Sequence, residues 1–199
     1  MISSYVLLVL LAPVPLILCA QVPQSLASFP IPSDMHEIWP GAKLADAERQ
    51  SLQKAMAADL DAQQDISQRG KKYTFASADT AEVALGSLGH AVLVLMSNSL
   101  SCGTGGCPIY VYVRNGAGYR KVLDGSFGWA FAVVNSKAPV PDLVIASNAG
   151  GGHITLTLYH YSGSTFAHRD CEMLTSKDKD GKTPTSWWDP AQVNIRPCT

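Results

Sequence analysis

The sequence predicts an α+β domain that is mainly antiparallel β: an N-terminal amphipathic helix packed on a curled sheet of about seven or eight strands, closed as a sandwich or partial barrel. Three observations carry this. One helical segment with an apolar stripe stands near the start, short β-type runs follow from residue 72 onward, and the loops between those runs are too short for βαβ crossovers. The organisation expected is a signal peptide over 1–20, a Pro-rich extended strap over 21–43 and a single domain over 44–199.

The leader comes first. No Asp, Glu, Lys, Arg or His precedes Asp34, and the stretch Ile2 to Leu18 is almost wholly apolar. Pro13 and Pro15 interrupt it, which argues against a stable membrane-spanning helix and for a cleaved export signal ending at Ala20. Two details are irregular: Met1 to Tyr5 holds no Lys or Arg, and Leu18 sits where a smaller residue is preferred. Lipidation at Cys19 and an uncleaved anchor are the alternatives. In the strap, Pro23, Pro30, Pro32 and Pro40 oppose helix, and Trp39 would tether the strap to the core.

The helix is expected from Asp46 to about Ile66, rich in Ala, Leu, Gln, Glu and Lys, with Asp46 as N-cap and Gly70 as stop. Leu52, Met56 and Leu60 recur every four residues, an apolar stripe suited to covering a sheet or binding a partner. Strands are predicted near Tyr73–Ala76, Ala91–Ser97, Ile109–Arg114, Tyr119–Leu123, Ala130–Asn135, Leu143–Ser147, His153–Tyr161 and Thr165–Arg169. Asn115-Gly-Ala-Gly118 reads as one hairpin loop and Asn148-Ala-Gly-Gly-Gly152 as another. Ile154, Leu156 and Leu158 alternate with Thr155, Thr157 and Tyr159, as in a strand with one buried face. The tail from 171 to 199 would be pinned by a disulfide.

Loss of Cys19 with the leader leaves an even set, Cys102, Cys107, Cys171 and Cys198, consistent with two disulfides in an oxidising compartment. The favoured pairing is Cys102 with Cys107 and Cys171 with Cys198, because three glycines in Cys102-Gly-Thr-Gly-Gly-Cys107 let the chain turn back tightly; the two crossed pairings are the alternatives. The short ring is worth roughly 2 kcal/mol and the long one roughly 3–4 kcal/mol in the chain-entropy picture. Zinc would need a second close Cys or His pair, and a redox dithiol a two-residue spacer beside a helix; neither is present, so no metal and no cofactor are expected.

Composition excludes further classes. Charged residues make up 16% of the chain and the formal net charge is −1, so there is no basic excess to neutralise phosphates and no nucleic-acid partner is expected. No apolar span follows Leu18, so no stable membrane insertion is expected after cleavage. Asn148 to His153 reads as a turn rather than an anion cradle, and Asp178-Lys-Asp-Gly181 lacks the later ligands of a calcium loop. Ser162-Gly-Ser164 is not a nucleophile elbow; Asp124, Asp142, Asp170, Glu172 and His168 would form a carboxylate–imidazole group only if folding gathered them. No residue is assigned a catalytic role. The candidate binding residues are Thr104, Asn148, His153, Trp129, Trp187 and Trp188, the last two as a sugar-stacking platform.

The leader, the Cys102-Gly-Thr-Gly-Gly-Cys107 element, the β-run and hairpin after it, and Pro141-Asp-Leu-Val144 together resemble small exported bacterial β-rich proteins in which a Cys-Gly-x-Gly-Gly-Cys element opens a hairpin. The resemblance covers roughly Ala91 to Tyr161, about a third of the chain, and implies a fold type and an envelope or extracellular location, with no activity for any residue. The expectation is therefore an exported, periplasmic or extracellular, non-catalytic binding or inhibitor-type protein whose partner is a protein or a cell-wall glycan. A secreted hydrolase or carbohydrate-active enzyme and a structural envelope component are the alternatives. Intact mass of the exported, thiol-blocked, unreduced protein should equal Gln21–Thr199 less four hydrogens. Free thiols, or a native-only additional mass near that of zinc, would refute it.

Overall fold

The computed structural model describes residues 29, 31–37, 44–60, 78–97, 102–178, 180 and 182–198. The leader, Trp39, Gly70 and the strand expected at Tyr73–Ala76 lie outside the described residues. Among the described residues ten strands form two antiparallel sheets. The four-stranded sheet is a meander of β2 (Asp79–Ala84), β3 (His90–Leu95), β4 (Cys107–Asn115) and β5 (Gly118–Gly128). The six-stranded sheet continues the meander through β6 (Ala130–Val134), β7 (Asp142–Gly150), β8 (His153–Tyr161), β9 (Phe166–Ser176) and β10 (Val193–Pro197). The strap adds β1 (His36–Glu37) beside β6. The fold is thus the predicted mainly antiparallel β domain with a short N-terminal helix, in its sandwich form.

Leu93, Leu95, Ile109, Val111 and Val113 of one sheet meet Phe131, Leu143, Ile145 and Phe166 of the other in the central core. Each sheet is also covered on its outer face. Helix α1 (Asp46–Ala55), with further helical residues at 57–60, lays Leu52, Met56 and Leu60 on Val92, Val94, Met96, Tyr110 and Tyr112. On the far side, Phe29, Ile31 and Met35 of the strap and Trp187 and Trp188 of the tail cover Val144, Ala146, Ile154, Leu156 and Leu174. Burial on both faces explains why β3 reads as Ala-Val-Leu-Val-Leu without alternation, all five residues buried.

Several expectations need correction. Asp46 does not cap the helix: Ala45 occupies the N-cap without a side-chain bond, and Asp46 lies in the first turn, where its charge favours the helix dipole. The first hairpin is tighter than Asn115–Gly118 suggested, a two-residue Gly116-Ala117 turn with Gly116 at φ +59°. The tail is not merely pinned, because β9 runs on through Ser176 and β10 pairs with it from Val193↔Ser176 to Pro197↔Glu172. Trp187 and Trp188 lie in a turn rather than on a strand, with the Trp188 amide donating to Ser186 Oγ at 3.2 Å. Strands β1, β2 and β10, absent from the sequence reading, are all sheet edges.

One polar cluster locks the helix to its sheet. Asp59 accepts hydrogen bonds from the Tyr112 hydroxyl and from Lys121 Nζ (2.5 Å), and Lys121 also reaches Asp124 at 2.7 Å while lying 5.5 Å over the Tyr110 ring. Burial, then the Asp59 hydrogen bond and charge, push the Tyr112 phenol well above its usual range, so it stays a donor. Burial alone would lower the Lys121 ammonium, but its bonds to Asp124 and Asp59 raise it overall. Asp59→Ala should cost about 2–3 kcal/mol in chemical denaturation by stranding the buried Tyr112 hydroxyl and removing one of the two carboxylates on Lys121, against about 1 kcal/mol for Tyr112→Phe. The double variant should cost clearly less than the sum, and strict additivity would show that the cluster is not a unit.

Candidate functional site

Cysteine spacing and glycine build the first part of the site. Cys102 and Cys107 are disulfide-bonded with Cα atoms 4.0 Å apart, and Gly103 and Gly106 exchange backbone hydrogen bonds of 2.8 and 3.1 Å. The element is therefore a miniature hairpin with exposed Thr104 and half-buried Gly105 at its tip, feeding directly into β4. The second disulfide, Cys171–Cys198, ties β9 to the end of the chain, so the favoured pairing holds.

Two other segments meet this hairpin. The Asn148 amide donates to the Gly105 carbonyl at 3.1 Å, joining it to the last residues of β7, so the chain expected to be a loop from Asn148 is strand through Gly150. A Cβ on Gly106 (φ +120°) would lie 2.6 Å from the Gly128 carbonyl oxygen, and one on Gly128 would lie 2.5 Å from that of Ala146. Only glycine fits where the chain crosses from β5 to β6 and the Trp129 amide donates to Ala146 O at 3.0 Å. Thus 102–107, 126–129 and 148–153, far apart in sequence, form one end of the sandwich. Phe127, 54% exposed, is the most open large apolar side chain among the described residues and pairs with Pro108.

The six candidate binding residues divide between two places. Thr104 and Asn148 are exposed at this end. His153 opens β8 and is half-buried beneath Gly151, its Nδ1 buried without a hydrogen-bond partner. Trp129, Trp187 and Trp188 cover the outer face of the six-stranded sheet, with the rings of Trp129 and Trp188 5.6 Å apart. Their packing makes these indoles half-buried cover for the sheet.

The acidic and imidazole residues are only partly gathered. Asp124 belongs to the Lys121 cluster, and His168 stands edge-on to Tyr159 at 6.3 Å. Buried Asp142 pairs instead with Nδ1 of exposed His160 at 2.6 Å, with Arg169 at 3.9 Å from its other oxygen. No signal in the sequence singles out this pair, whose residues lie on neighbouring strands at a separation of 18. Asp178 forms a local turn, accepting the Asp180 amide at 2.9 Å; Lys179 and Gly181 lie outside the described residues. Among the described residues no group of three or more His, Cys, Asp or Glu side chains could hold a metal ion, and no helix is long and apolar enough to cross a membrane.

Glu172 is the sharpest electrostatic anomaly. It is 1% exposed on the outer face of β9, and both carboxylate oxygens are buried without hydrogen bonds of good geometry. Burial, then the charge of Asp170, raises its pKa to about 7, with the Phe29 backbone amide pulling the other way. Comparison with protein-family models, curated proteins and solved structures finds no match, so the chemistry here rests on the geometry alone.

Because folding raises the Glu172 pKa above its ordinary 4.5, the native state holds this proton more tightly than the unfolded chain. Its contribution to stability should therefore fall as pH rises from about 4.5 to about 7 and stay flat above. Glu172→Gln should remove that decline and gain up to about 3 kcal/mol over the native chain at pH 8 relative to pH 4, read by denaturant unfolding at both. An unchanged pH profile would show that Glu172 ionises without penalty.

Proposed function

We propose that this chain is an exported, disulfide-stabilised, non-catalytic binding protein of the bacterial envelope or its surroundings, and that it engages its partner through the end of the sandwich formed by 102–107, 126–129 and 148–153. The observation that carries the reading is the Gly105–Asn148 backbone bond, supported by the Gly106–Gly128 contact. Loops tied to each other and closed by a disulfide lose little conformational entropy on binding, so their contacts convert efficiently to affinity. The apolar leader and the two disulfides support export to an oxidising compartment. A protein or a cell-wall glycan is the partner this surface suits, since none of the three segments carries Asp, Glu, Lys or Arg.

A second reading has one observation in its favour. Asp142 orients His160 through Nδ1, the arrangement by which a carboxylate prepares an imidazole as general base, as a secreted hydrolase would need. A photoreactive side chain placed at Thr104 or Asn148 in the producing cells should give a discrete adduct, and one at exposed Lys182 should not. Equal adducts from all three positions, or none, would refute the loop surface. Turnover of a cell-wall substrate that His160→Ala abolishes with the fold intact would establish the hydrolase instead.

A further inference from the structure

A cleft lies at the opposite end of the four-stranded sheet from the disulfide hairpin, separated from it by the length of β4. Its origin is the incomplete cover given by α1. The helix stripe Leu52, Met56 and Leu60 closes over Met96, Tyr110 and Tyr112, but the sheet extends further, to His90, Arg114 and Tyr119. The first turn of α1 overhangs this margin and leaves an open space of about 500 Å³ beneath it. Ser51 Oγ donates to the Ala117 carbonyl at 3.0 Å, tying the helix to the β4–β5 turn and setting the width of the opening.

The lining comes from the helix and all four strands. Val92 forms an apolar floor, Tyr119 a half-buried aromatic wall, and Glu48, Glu82, His90 and Arg114 the polar rim. Glu48 and Arg114 form an ion pair across it, so the rim carries groups of both signs. That chemistry narrows the ligand. Two carboxylates oppose a phosphate or nucleotide, and among the described residues no metal-ligating group of three is assembled. A wholly apolar ligand would strand the charged rim. Planar carboxylate, guanidinium and imidazole groups around an aromatic wall match the alternating hydroxyls and C–H faces of a sugar, and the volume lies within the usual range for small-ligand sites.

We propose that this cleft is a binding site for a neutral oligosaccharide, with Tyr119 against a sugar face and Glu82, His90 and Arg114 bonded to hydroxyls. It is a second site, independent of the loop end.

The test is amide-shift mapping by NMR on the ¹⁵N-labelled full domain titrated separately with maltotriose, cellotriose, tri-N-acetylchitotriose and inorganic phosphate. At least one trisaccharide should saturate, with shifts centred on Gly89, His90, Arg114 and Tyr119, and an affinity little changed by salt. Glu82→Gln and His90→Ala, both at exposed positions, should each weaken it about tenfold with unchanged melting. Tyr119→Ala should abolish it, and Asn148→Lys should leave it intact, keeping this site separable from the loop surface. No saturable shift with any of the three sugars would overturn the proposal. So would saturation by phosphate in the same cleft, or sugar shifts centred on Thr104 or Trp188.

Discussion

Burial of both faces of the inner strands is the constraint from which the rest of the molecule follows. A two-sheet sandwich ordinarily hides one face of each sheet and leaves the other wet. Here Val92, Val94 and Tyr112 on one side, and Val144, Ala146 and Leu156 on the other, make the outer faces apolar too. Each sheet therefore needs a cover drawn from elsewhere in the chain. Helix α1 serves one sheet; the strap and the Trp187–Trp188 turn serve the other. Cys171–Cys198 holds the end of the tail where that second cover needs it.

The two covers handle polar groups in opposite ways. Under the helix, Asp59 enters an apolar interface but meets both Tyr112 and Lys121, and Lys121 carries a second carboxylate at Asp124. Each group in the cluster has a hydrogen-bond partner, so the cluster fixes the helix at one position on the sheet. Beneath the strap, Glu172 feels the charge of Asp170, and among the described residues no ion pair is formed by either. That carboxylate favours its protonated form, and the strap cover carries a pH-dependent penalty that the helix cover does not.

The candidate sites sit where these covers end. The loop end is held by backbone contacts: Gly106 against Gly128, Gly128 against Ala146, and Gly105 bonded to Asn148. Side chains larger than hydrogen would force the sheets apart at the crossing, so glycine here serves close approach as much as turning. The cleft arises at the other end, where the first turn of α1 overhangs the sheet margin without closing on it. One surface is rigid and uncharged; the other is concave and charged with both signs.

The sequence by itself determined the helix stripe of Leu52, Met56 and Leu60, the seven strands from β3 to β9, the two short hairpins and the cysteine pairing. These depend on local periodicity and on turns closed within a few residues, which adjacent side chains encode directly. Among the described residues three of the four edge strands, β1, β2 and β10, were not legible, for a reason built into edges. Asp79-Thr-Ala-Glu-Val-Ala84 and Val193-Asn-Ile-Arg-Pro197 carry charge or proline where a central strand would carry apolar residues, which guards an exposed edge against further pairing and erases the β signal. Thr104 was legible as a loop residue, whereas Asn148, read as one, lies within β7, and the hydrogen bond between their segments was not legible. The tertiary structure alone decided that Trp129 and Trp188 would cover the sheet, that Asp142 would meet His160, and that Glu48, Glu82, His90, Arg114 and Tyr119 would share a cleft. Those outcomes depend on which faces pack and where a helix stops relative to a strand, distances set across the fold rather than along the chain.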